Sequence, residues 1–125
     1  MPRQTIATAA APGSPLYSQG VRVGSTIYVS GMVGMDMTTG EIAGSTIQEQ
    51  TRQCLTNIAA ILEEAGSSMD RIVSVTVILA DEDDFAGMNE EWLRWFPSSP
   101  PARQGAKLPA RIPGLKISIA AIAEG

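Results

Sequence analysis

The chain is 125 residues long with a mass of 13.2 kDa, enough for one domain with its own core and too little for two. It carries no His and a single Cys, which excludes imidazole-based nucleophile systems, Cys/His zinc sites and any disulfide within the chain. Lys and Arg number 9 against 13 Asp and Glu, a formal charge of −4 that argues against a dedicated nucleic-acid binder.

The first half of the chain reads as strands. Val21 and Val23 flank Arg22, Gly24-Ser25 offers a two-residue hairpin turn, and residues 27–30 resume the alternation with Ile27 and Val29 on one face. Residues 32–37 continue extended to a turn at Thr38-Thr39-Gly40, followed by a short strand over 41–43. Ser45 and Gln48 have capping-box spacing and predict the start of a helix. Its buried stripe is Ile47, Thr51, Cys54, Leu55, Ile58, Ile61, Leu62 and Ala65, and Gly66 is its left-handed stop. Cys54 within that stripe is a core residue rather than a reactive thiol.

Residues 71–79 predict a β-branched strand with Val73, Val75, Val77 and Leu79 on one face. The acidic run Asp81, Glu82, Asp83 and Asp84 suits a helix N-terminus and lacks the pattern of a calcium loop. A second helix over 84–96 follows, with Phe85, Met88, Trp92 and Phe96 as its apolar face. Asn89 falls within that face, where it either satisfies loop backbone or presents a polar group to a pocket. Five prolines, Pro97, Pro100, Pro101, Pro109 and Pro113, predict a stiff loop over 97–114. The last strand, 115–123, alternates Leu115, Ile117, Ile119, Ala121 and Ala123 against Lys116, Ser118, Ala120 and Ile122.

This order predicts an α+β domain, a single mixed sheet with two helices packed on one face. The other sheet face, which still carries Val, Ile, Tyr and Met, calls for burial in an oligomer. Charge is distributed unevenly. Acidic residues dominate 36–91, whereas 92–116 holds Arg94, Arg103, Lys107, Arg111 and Lys116 and no acid, either a solvated face or a local anion site. No apolar run reaches the ~20 residues of a membrane helix, and Pro12-Gly13 interrupts the small-residue stretch where a leader would continue. A cytoplasmic protein engaging neither membrane nor nucleic acid is expected.

Several spaced motifs add to this reading: Leu16-Tyr17-Ser18-Gln19-Gly20, Ile27-Tyr28-Val29-Ser30-Gly31, Gly34-Met35-Asp36, the acidic stretch through Phe85, Asn89, and Pro101-Ala102-Arg103. Together they make the chain similar to the RidA/YjgF family of reactive enamine/imine deaminases over residues 6–123. The resemblance implies one chorismate-mutase-like domain over 1–125 and a homotrimer with barrel-lining sheets and a site in each cleft between subunits. It implies hydrolysis of 2-enamino or 2-imino acids to 2-keto acids and ammonia, with no metal or cofactor. By positional match, Arg103 grips the substrate carboxylate, Tyr17 walls the cleft, Ser30 and the Gly31 backbone border the ligand, and Asn89 shapes the site. A guanidinium suits that task because it pairs with a carboxylate through two parallel hydrogen bonds.

Two substrate-site positions depart from the deaminase pattern. Gly105 stands in place of a Cys, and Ala120 in place of the Glu taken to position the attacking water, so no catalytic residue is assured. Glu124 has the same strand parity as Ala120 but lies about 13 Å further on, and Glu90 and Glu91 are expected to face solvent. The alternative is a non-catalytic protein of the same fold that binds or senses small carboxylates such as 2-keto acids. The ribonuclease activity associated with the family is disfavoured by the acidic charge and absent His.

Overall fold

The computed structural model describes residues 2–108 and 113–125. Pro109 and Arg111, counted above among the stiffening and basic residues, lie outside the described residues. The apolar stripe of the first helix, α1 (Ile47–Glu64), is the spine of the core, with Cys54, Leu55, Ile58, Ile61 and Leu62 fully buried. Its cap lies one residue later than the Ser45–Gln48 expectation. Thr46 Oγ1 accepts from the Glu49 backbone N–H at 3.1 Å, and a Glu49 carboxylate oxygen accepts from the Thr46 N–H at 3.2 Å. Both pairs fit the capping pattern, and the pair with a carboxylate at N3 prevails because a charged acceptor binds the orphan N–H more strongly than an amide does. Gly66 stops the helix at φ +78°, as expected.

The strands are β1 (Gln4–Ile6), β2 (Gly20–Val23), β3 (Thr26–Val33), β4 (Met35–Asp36), β5 (Glu41–Ile42), β6 (Ile72–Leu79), β7 (Ala102–Lys107) and β8 (Ile117–Glu124). Six of them form one sheet in the order β1-β2-β3-β8-β6-β7, while β4 and β5 make a separate hairpin. Every pairing in the large sheet is antiparallel except β6 with β7. That parallel pair requires a crossover, which the second helix, α2 (Phe85–Trp95), supplies. The predicted loop over 97–114 is therefore corrected. Its middle is the edge strand β7, exposed along its whole length, so it shows no apolar alternation by which sequence could reveal it.

Both helices lie against one face of the sheet, where Ile117, Ile119, Ala121 and Ala123 of β8 point inward as predicted. Val73 does not share the face of Val75, Val77 and Leu79. A bulge between Ile72 and Ser74 in the pairing with β8 turns Ile72 inward and leaves Val73 54% exposed. Two amides stitch α1 to the strands around it. Asn57 donates to the carbonyls of Val33 and Met35, both at 3.0 Å, and Gln50 spans the Gly114 carbonyl and the Lys116 N–H, both at 2.9 Å. Among the described residues, no helix is long and apolar enough to cross a membrane.

Candidate functional site

Residue 103 owes its position to the parallel pairing of β7. Arg103 stands opposite Val75, a residue on the helix side of β6, so its side chain projects toward α2. There the guanidinium lies 4.8 Å from the Trp92 ring centre and 5.6 Å from that of Phe85. Its Nη1 donates to Asn89 Oδ1 at 2.8 Å and contacts Met88 Sδ at 3.8 Å. All four partners are uncharged. They orient the fork and the two rings add cation–π attraction of about 0.5–1 kcal/mol each at this exposed site, yet they leave its positive charge unneutralised. Asn89 is thus neither buried nor tied to loop backbone; it is a half-buried acceptor for the arginine.

Arg103 borders a cleft of about 640 Å³ whose floor and walls include Val77, Leu79, Phe85, Met88 and Gly105. Gly105 faces Val77 in the β6–β7 register. At the rim, Lys107 pairs with Glu82 at 3.4 Å. Sequence reasoning placed Phe85 in the core, but it is 51% exposed at the mouth of this cleft. The cradle of Phe85, Met88 and Trp92 was visible only as a helical stripe. Its functional signal was Asn89 within the same face.

Tyr17, Ser30 and Gly31 occupy a different part of the subunit. Ser30 is on β3, three strand positions from β7, or about 14 Å across the sheet. A bulge between Val29 and Met32 accommodates the Ser30–Gly31 pair. Ser30 Oγ donates to the Ser18 carbonyl at 2.6 Å, and its N–H donates to the Gln19 carbonyl at 2.9 Å. A Cβ on Gly31 would fall 2.9 Å from Ser118 Oγ, so a larger residue here requires the Ser118 hydroxyl to turn away. Tyr17 and Ser30 border a shallow hollow with Arg3 and Leu16. A single subunit does not bring these residues to Arg103.

Ala120 pairs with Thr76, which pairs with Gln104. This row lies on the sheet face away from the helices, and Gln104 Nε2 donates to Thr76 Oγ1 at 3.2 Å. Ala120 lines a small concavity there with Tyr28 and Ile122, not the Arg103 cleft. Glu124 is at the far end of β8, 3.8 Å from Arg71, and Glu90 is exposed. Glu91 corrects the expectation of a solvent-facing charge. It is buried between the helices, accepting from Arg52 at 3.1 Å and 3.3 Å and from the Trp95 indole N–H at 3.0 Å. Helical arithmetic placed Glu91 off the α2 stripe but could not show that α1 covers that side. Burial pushes its carboxyl up, and the bonds from Arg52 and Trp95 outweigh this to hold it below the usual carboxylate range.

Cys54 is enclosed in the core with Sγ 3.8 Å from the Ile117 carbonyl, and burial pushes its thiol well up, so no thiolate is available at neutral pH. Among the described residues, no group of three or more His, Cys, Asp or Glu side chains is placed to hold a metal.

Two helices on one face of a mixed sheet, with β6 and β7 joined through α2, define a chorismate-mutase-like α+β subunit with a cationic cleft at its sheet edge. The family model described as Endoribonuclease L-PSP matches residues 7–125. The chain belongs to this family, also known as RidA/YjgF/RutC. It is 45% identical over 115 residues to a RutC family protein of Pyrococcus abyssi, covering 90% of this chain and 89% of the relative. It is 41% identical over 122 residues to the human 2-iminobutanoate/2-iminopropanoate deaminase, covering 97% and 89%. The crystal structure of Escherichia coli TdcF with bound serine superposes with a TM-score of 0.90 at 35% identity, covering 98% of each chain.

Proposed function

We propose that the protein hydrolyses small 2-imino acids, and their enamine tautomers, to 2-keto acids and ammonia. Arg103 binds the carboxylate. Water adds to the C2=N carbon, a proton reaches the nitrogen, and the C–N bond breaks with release of ammonia as C2 becomes a ketone. The observation that carries this reading is an exposed guanidinium, oriented by Asn89 at 2.8 Å and by two aromatic faces, with no carboxylate on it among the described residues. An anion with two parallel oxygens completes that arrangement. The names of the human deaminase and of serine-bound TdcF support a ligand carrying a carboxylate beside an amino or imino carbon.

In this reading a homotrimer completes the site. Tyr17, Ser30 and Gly31 of one copy face Arg103 of the next, which supports an inter-subunit cleft because one subunit holds the two groups about 14 Å apart. The second reading is carboxylate binding without turnover. It is favoured by the cleft's acid/base content, since its lining carboxylate, Glu82, is occupied by Lys107. A coupled assay following 2-aminoacrylate loss, run beside calorimetric titration with 2-oxobutanoate, separates the two. The deaminase reading expects turnover that falls at least a hundredfold in Arg103→Ala, together with loss of binding. Binding without turnover selects the second reading, and equal inertness of wild type and variant in both measurements overturns both.

A further inference from the structure

Gly105 sits within β7 without the positive φ that most often calls for a glycine. An added Cβ there would press on the Val77 backbone carbonyl oxygen at 3.3 Å, a tight contact to which the strand pair must yield slightly. Glycine in a strand interior also forfeits side-chain packing and costs backbone entropy relative to alanine. What its missing side chain does provide is space. Arg103 and Gly105 project from the same side of β7, about 6.6 Å apart along the strand, and Gly105 opens the cleft immediately beyond the guanidinium.

That space is apolar. Val77 lies opposite Gly105, Leu79 follows it, and Phe85 and Met88 close the side toward α2. At the far end Lys107 and Glu82 form an exposed ion pair at 3.4 Å, whose opposite charges offset each other.

From these observations we infer that Gly105 holds open an apolar side-chain subsite beside Arg103. The cleft accordingly favours 2-imino and 2-keto acids with branched or aromatic side chains of four carbons or more. This inference rests on the carboxylate-binding role of Arg103 and adds to it the class of side chain accepted. Gly105 is a specificity-determining position that acts through its size.

The test is calorimetric titration of wild type, Gly105→Ala and Gly105→Val with pyruvate and with 4-methyl-2-oxopentanoate, alongside thermal melts. Wild type is expected to bind the branched acid at least tenfold more tightly than pyruvate. Gly105→Val is expected to erase that preference by weakening the branched acid tenfold or more, while pyruvate shifts less than threefold. Gly105→Ala gives a smaller selective loss and decides the matter should the valine variant not fold. Equal affinity of wild type for the two acids, or equal weakening of both in a folded variant, overturns the inference and leaves the role of Arg103 standing. Failure of wild type to bind either acid overturns both.

Discussion

Two arginines meet α2 two residues apart, and their surroundings give them opposite tasks. Arg52 reaches it from α1 and is held by the Glu91 carboxylate through both its Nε and Nη2, with Trp95 completing the acceptor's bonds. Arg103 reaches it from β7 and meets an amide oxygen, a thioether and two rings. The first guanidinium is neutralised and locks two helices together. The second is oriented but not neutralised, so a ligand's carboxylate can complete it. Charge at the acceptor, rather than the arginine itself, separates the structural pair from the binding site.

This contrast can be broken from either side. The largest effect is the hundredfold loss already assigned to Arg103→Ala, in a variant that stays folded while losing about 1–2 kcal/mol with its contacts to Phe85 and Trp92. Next in size is Glu91→Ala. Removing a carboxylate whose side chain is only 4% exposed leaves the Trp95 N–H without its acceptor and opens a gap between the helices. Urea unfolding is expected to show a loss of about 1–3 kcal/mol. The loss is small for a buried pair because Arg52 is 52% exposed and can return to water.

The smallest effect is a pH dependence. Glu91 titrates below its ordinary value of 4.5 in the folded protein. A carboxylate with a depressed folded pKa contributes stability that is complete above its unfolded pKa and is lost as pH falls through the folded one. The stability advantage of wild type over Glu91→Gln is therefore expected to be constant from pH 7 down to about 5, then to shrink below pH 4.5. Asp36 and Glu49, also held low by hydrogen bonds from Thr38 and Thr46, titrate in both proteins and cancel in the difference. An advantage that stays flat to pH 3 would show that Glu91 is not the group responsible.

Legibility in the sequence followed burial. The α1 stripe and the alternation of β8 were readable because every second or third residue is packed against the same core. β7 was not, since a fully exposed edge strand carries no pattern, and the prolines on either side of it suggested a loop. The reversal of Val73 depends on a bulge that only the pairing with β8 reveals. At the site, the arginine and its motif were readable, as was the oddity of Asn89 on an apolar face. Their contact was not, because it joins a helix to a strand 14 residues later through a parallel pairing that no local signal specifies. Glu91 escaped for the same reason, since its partner lies 39 residues away on another helix.

The central claim is that Arg103 binds carboxylates because the group beside it is a neutral amide. Asn89→Asp tests it most directly, by placing on Arg103 the kind of acceptor that Glu91 places on Arg52. Calorimetric titration with 2-oxobutanoate is expected to show at least a tenfold weaker Kd for the variant than for wild type, at an unchanged melting temperature. Equal Kd values for the two proteins would contradict the account.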